Sequence, residues 1–335
     1  MIPPHRQQIR LSEEDSMAAR AAWLHYCGGL TQSEIARRFG IPQPKAHRLI
    51  ARALRDGLVR VYVDADVQDC LDLENRLMNL CQLEFCQVTP DLDEGNLPLR
   101  ALGLAGANFL RLAIEGGEYA CIGIGHGRTL ASMVQMLPSM TISNARFVSL
   151  LGGLTRKFAA NPFDVIHRLA EKTGADAYML PVPIFANSAH DKEVLMAQIG
   201  IADVLDMGRR ADLLIVGIGE ADWHSNLVET DMVTPAELQE LQEQNAQGEL
   251  LGHYFDDQGV LVKSVLNERA ISVSAADLQG RNLVAVAGGL SKVAALSAVL
   301  RSGLLKGLIT DEKTAQSLVE MFDEEDGVEH PGKLT

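Results

Sequence analysis

The chain has 335 residues, 47% of them apolar, and a formal net charge of −14, enough length for two or three domains and a sizeable core. No apolar run approaches the ~18 residues that span a bilayer, and the opening MIPPHRQQIRLSEEDSM lacks the apolar stretch of a secretory signal, so a cytoplasmic protein is expected. The cysteines (Cys27, Cys70, Cys81, Cys86, Cys121) have no metal or redox spacing, which leaves ordinary reduced thiols.

Charge is unevenly spread. Residues 1–60 hold ten Lys or Arg against five Asp or Glu, and the remainder holds 20 basic against 39 acidic residues. A small basic head on a large acidic body implies that only the head meets a polyanion.

In chain order, MAARAAWLHY (17–26) reads as a helix ended by Gly28 and Gly29. Thr31 and Glu34 form a T-x-x-E capping box that opens a short helix through Phe39. Gly40 and Pro42 break it. Pro44 suits the first turn of a third helix, which runs to about Asp56 and ends at Gly57. LVRVYVD follows as a wing strand. Helix, short helix, glycine turn and longer basic helix is the helix-turn-helix pattern, whose last helix enters the major groove with its N-terminal residues. That places Gln43, Lys45, His47 and Arg48, with Arg52 a turn further on, against operator DNA. The competing reading is a solvated basic helix in a bundle.

Next, Cys70, Leu73, Leu77 and Leu80 fall at a/d spacing. They fit either a short coiled-coil seam between protomers or an amphipathic helix packed on its own domain. The organisation expected is a DNA-binding domain at 1–62, a linker or oligomerisation helix at 63–85 and an effector domain at 86–335.

Beyond residue 86, apolar runs alternate with helical patterns: YACIGIG into RTLASMVQML, RFVSLLGG, PFDVIHRLAEKTG into ADAYMLPVP, IADVLDMGRRA into DLLIVGIGEAD, NLVAVAGG into LSKVAALSAVLRSGL, and LKGLITD into EKTAQSLVEMF. Strands that end in glycine and give way to helices predict a parallel α/β sheet, with ligand beyond the carboxyl ends of its strands. The candidate effector residues collect there: Gly123, Gly125, His126, Gly127, Arg128 and Thr129 after one strand, Gly152 after the next, Glu220 after a third and Lys292 after a fourth. Glycines admit close approach, and a helix start offers free N–H groups to anions. Asp256, in GHYFDDQG, reads most simply as a hairpin-turn residue, the alternative being that it faces the ligand. The rim is neither a P-loop nor a dinucleotide fingerprint. No cofactor and no metal are expected.

Seven segments carry a resemblance: LTQSEIARRFGIPQPKAHRLIARALRDGLV, IGIGHGRTLASM, LLGGL, NPFDVIHRLAEKTGADAYMLPVPIFANS, ADLLIVGIG, GHYFDDQG and AVAGGLSKVAALSAVLRSGLLKGLITDEKTAQSLV. In this order and spacing, over about residues 17–322, the chain resembles the SorC family of bacterial sugar-sensing transcription regulators. The resemblance implies a winged helix-turn-helix domain and a Rossmann-like α/β effector domain of the sugar-phosphate isomerase type. It also implies a sugar, polyol or sugar-phosphate effector, and dimers or tetramers on operator DNA. The family's phosphate or sugar loop falls on Gly125 to Thr129, and its GGxxK element on Gly288, Gly289 and Lys292. The chain departs from the family pattern at His126, often an aromatic, and at Pro42, often a Ser cap. The head, with GGLTQSEIA and AHRLIARA, resembles regulators of polyol catabolism such as the erythritol regulators.

The alternative is an isomerase-like enzyme with a fused DNA-binding head, for which Glu220, Asp222, His126 and Lys292 would have to supply the acid and base. An isomerase has no use for a basic helix-turn-helix, so no catalytic residue is assigned.

Overall fold

The computed structural model describes residues 12–56, 58–59, 68–153 and 165–328. The chain divides into two compact units, Met1–Ala65 and Asp66–Thr335.

In the first unit, α1 (Glu13–Tyr26), α2 (Gln32–Phe39) and α3 (Gln43–Arg55) close around one apolar cluster. α1 begins before Met17 because the Ser12 hydroxyl accepts the Asp15 amide, and Glu13, Glu14 and Asp15 sit at the positive end of the helix dipole. The capping box of α2 is formed in both directions: Thr31 Oγ1 accepts from Glu34 N at 3.3 Å, and Glu34 Oε2 accepts from Thr31 N at 2.8 Å. Gly40, at φ 62°, closes α2 in the left-handed conformation. Ala18, Ala21 and Ala22 of α1 meet Ile35 and Ala36 of α2 and Leu49, Ile50 and Ala53 of α3. Gly57 and the wing strand, apart from Leu58 and Val59, lie outside the described residues.

The second unit opens with α4 (Gln68–Cys81), β1 (Phe85–Thr89), α5 (Leu99–Gly116), β2 (Cys121–Ile124), α6 (Arg128–Met136), β3 (Arg146–Ser149), α7 (Ile166–Thr173) and β4 (Ala177–Tyr178). α8 (Ala189–Met196), α9 (Ile201–Arg209), β5 (Leu213–Val216), β6 (Gly219–Glu220), α10 (Asn226–Glu229), α11 (Pro235–Glu243), β7 (Ala246–Leu250) and β8 (His253–Asp256) follow. The chain then runs through α12 (Val265–Arg269), α13 (Ala275–Leu278), β9 (Leu283–Val286), a 3-10 turn (Leu290–Lys292), α14 (Val293–Arg301), β10 (Gly307–Asp311) and α15 (Glu312–Val328).

Among the described residues, seven strands form a parallel sheet in the order β1-β10-β9-β5-β2-β3-β4. From β2 the chain moves outward to β3 and β4, then returns to lay β5 on the other side of β2, so the order reverses between β2 and β5. Ligands of doubly wound sheets sit at such a switch point. The central strands β2, β5 and β9 are continuously apolar because both faces are covered. Ile122, Ile124, Leu213 and Ile215 face a core closed by α5, α6 and α7. Leu214, Val216, Ala285 and Leu308 face the core that holds Leu77 of α4, Leu296 of α14 and Leu318 of α15.

Two expectations concern α4 and the strand after α9. The apolar stripe of α4 is used inside the chain: Cys70 and Leu77 are buried against β1 and α15, with Leu73 and Leu80 packed on the same core. Of the two readings of this stripe, packing on its own domain accounts for Cys70 and Leu77, while Leu73 and Leu80 remain partly exposed. DLLIVGIGEAD is not one strand. β5 stops at Val216, and Gly219–Glu220 joins a separate antiparallel sheet in the order β6-β7-β8.

Candidate functional site

Past the end of β2 the chain makes the Gly125–His126–Gly127 turn, and Arg128 opens α6. Gly127 has φ 128° and ψ 170°, a region that glycine alone enters cheaply. His126 Nε2 lies 3.3 Å from Ser149 Oγ, and that hydroxyl donates to Leu151 O at 2.8 Å. Ser149 therefore accepts from His126 and fixes its ring. Thr129 is buried on the first turn, and Arg128 reaches Glu229 only at 3.9 Å.

Two further loops meet this turn. After β5, Gly217 and Ile218 lead to Glu220. After β9, Gly288 and Gly289 lead to Lys292. Lys292 is buried. Its Nζ donates to Ile218 O and stands 3.4 Å from Glu220 Oε2, while Ser291 Oγ donates to Glu220 Oε1 at 3.2 Å. Glu249 comes from β7, directly opposite Gly219. A β-carbon at Gly219 would stand 2.4 Å from Glu249 Oε2, so glycine there makes room for the carboxylate. Burial raises the Glu249 carboxyl to about 7; the Gly252 amide and Lys292 oppose the rise and Glu220 adds to it. Together these loops enclose a cavity of about 70 Å³.

The cavity brings together His126, Gly127, Arg128, Thr129, Glu220 and Lys292 from the expected set. Gly123 does not reach it: its α-carbon packs under Leu150, where a β-carbon would stand 2.5 Å from Cδ2. Gly125 sits behind the lining, against Leu130, Val216 and Leu251. Gly152 is pressed on the backbone of Pro183, 2.4 Å from its oxygen to a would-be β-carbon. Asp256 takes the turn role, its Oδ1 accepting from Gln258 N and Val260 N at 3.0 and 2.8 Å. Asp222 likewise caps a local turn through His224 N. The sequence reading missed Glu249. Its only local signal is a carboxylate between Gly248 and Leu250, on a strand whose neighbours are buried.

On the head, Gln43, Lys45, His47 and Arg48 project from the N-terminal half of α3 into solvent. Arg52 differs: its guanidinium is held by Glu14 at 2.6 Å, Asp15 at 2.7 Å and Asp56 at 3.1 Å, a brace from α3 to the start of α1. Among the described residues no group of three or more His, Cys, Asp or Glu is placed to hold a metal, and no helix is long and apolar enough to cross a membrane. Burial pushes the thiols of Cys81 and Cys86 up, Cys81 to about 12, away from nucleophilic use at neutral pH.

Residues 65–320 match the family described as "Putative sugar-binding domain", and residues 22–67 match the MarR family. The chain is 54% identical over 306 residues to the erythritol catabolism regulatory protein EryD of Brucella abortus, covering 91% of this chain and 97% of that protein. It is 29% identical over 316 residues to the transcriptional regulator LsrR of an Enterobacter species, covering 93% and 94%. The full-length sorbitol operon regulator SorC of Klebsiella pneumoniae shares the fold at a TM-score of 0.66 and 24% identity, over 92% of this chain and all of that one. A transcriptional regulator from Streptococcus pneumoniae aligns at a TM-score of 0.69 and 25% identity, over 78% and 98%. The chain therefore belongs to the sugar-binding transcriptional regulators of the SorC type. It is a DNA-binding regulator controlled by a sugar-type effector, and not an enzyme.

Proposed function

We propose that this regulator senses a short polyol, with erythritol or its phosphate monoester as the first candidates, and controls an operon for polyol catabolism. The observation that carries the reading is the cavity at the reversal of strand order, which joins the first turn of α6 to the Glu220–Glu249–Lys292 floor. Carboxylates accept hydrogen bonds from hydroxyl groups, and the turn at Gly127–Thr129 with Arg128 suits a phosphate or a terminal hydroxyl. The relationship to a protein named for erythritol catabolism supports the same class.

Gln43, Lys45, His47 and Arg48 read the operator, and the effector releases the protein from it. The regulator works in the cytoplasm as a dimer or tetramer, since a palindromic operator needs paired heads. Operator binding titrated with tetritols, pentitols, sugars and their phosphates tests this. One compound should change operator affinity by roughly 5- to 150-fold. The reading fails if none does and Lys292→Met and Thr129→Val leave regulation intact.

A further inference from the structure

We propose that Asp311 is a positioning residue that couples the effector cavity to α15 and α4, an inference that rests on the cavity being the effector site. Asp311 ends β10 and is 4% exposed. Its Oδ2 accepts from Gly289 N at 3.0 Å and from Thr314 Oγ1 at 2.6 Å, and its Oδ1 accepts from Thr314 N at 3.1 Å. Gly289 N also reaches Thr314 Oγ1 at 2.7 Å. A β-carbon on Gly288 would stand 2.2 Å from Oδ2, so the carboxylate lies directly on the glycine turn. That turn carries the cavity's ammonium, because Lys292 N donates to Gly289 O at 2.9 Å. Thr314 belongs to the first turn of α15. One buried carboxylate thus holds the Lys292 turn and the start of α15 at the same time.

The two sides of the cavity differ in what they can move. The His126–Thr129 side opens α6, which packs with α5 and α7 on one face of the sheet. The Lys292 side leads to the other face, where α15 packs on α4 and Arg76 pairs with Asp323. α4 is the first helix of the second unit and follows the head in sequence. A ligand oxygen that draws the Lys292 ammonium off Ile218 O shifts its turn. Asp311 passes the shift on, since the buried donors of Gly289 and Thr314 lose free energy if their acceptor stays behind.

The test uses the full-length protein with erythritol and its phosphate monoester as probes. Three quantities are read: probe binding, operator affinity with and without probe, and hydrogen exchange. In the wild type the probe should slow exchange in residues 288–292 and also in 312–328 and 68–81. Asp311→Asn should keep probe binding and probe-free operator binding within about threefold, yet shrink the probe's effect on operator affinity to less than about twofold. Thr314→Ser should keep the response and Thr314→Val should lose it.

An undiminished response in Asp311→Asn and Thr314→Val overturns the proposal, as does wild-type protection confined to 288–292. Loss of probe binding itself in Asp311→Asn also overturns it, by making Asp311 part of the site. Should Asp311→Asn fail to fold, the Thr314 pair and the wild-type exchange decide. A wild type whose operator binding answers to neither probe nor any other polyol or sugar phosphate sinks the effector reading instead.

Discussion

Glu249 sits where burial and charge oppose each other. Its carboxyl is raised from an ordinary 4.5 to about 7, first by burial. Between those values the native carboxyl holds a proton that the unfolded one has lost, so its contribution to stability is full below pH 4.5 and is lost as pH rises through 7. At 1.36 kcal/mol per unit the loss is at most about 3 kcal/mol, and less where cavity water screens the group. Glu249→Gln removes this slope. Denaturation midpoints at pH 5 and pH 8 should converge in the variant relative to the wild type, and an unchanged gap would show that Glu249 titrates normally. The same residue marks the limit of what the sequence discloses. His126 to Thr129 and Lys292 were legible because each stands next to its own strand end, where local pattern and position coincide. Glu249 and Asp311 were not. The first depends on a cross-strand partner, Gly219, thirty residues earlier, and the second on a turn that precedes it by more than twenty.

Local signals carried the head. Every device that opens α2 lies within four residues, so its capping box could be read directly. Thr31→Ala should cost about 1 kcal/mol of head stability, measured by urea unfolding, and a neutral result would mean that packing alone holds the helix. Charge alone did not separate Arg48 from Arg52 on α3. Arg48 is exposed, whereas Arg52 is ringed by Glu14, Asp15 and Asp56. Arg48→Ala should weaken operator binding with the melting temperature unchanged. Arg52→Ala should lower the melting temperature, and its operator binding should recover on cooling. Equal melting temperatures with equal losses of binding would return Arg52 to the DNA surface. α4 shows the opposite limit. Its heptad spacing is real, but spacing cannot say whose core an apolar stripe enters; Cys70 and Leu77 enter the chain's own.

The whole molecule joins a basic unit that meets DNA to an acidic unit that holds the ligand. The two should answer differently to one titration. A ligand that binds only the native second unit stabilises it by RT ln(1 + [L]/Kd), about 2.7 kcal/mol at a hundredfold excess over Kd. For a domain of this size that is a rise of roughly 5–10 °C in melting temperature. The first unit has its own core, Ala18 and Ala21 against Leu49 and Ile50, and gains nothing directly. Scanning calorimetry with a polyol or polyol phosphate should therefore move the transition of residues 66–335 upward and leave that of the head in place. Operator DNA should do the reverse, with a shift that shrinks steeply as salt rises because basic side chains on phosphate dominate it. If both transitions moved together with ligand alone, the units would melt as one cooperative block. The separation of sensor from reader would then have to be sought in subunit arrangement.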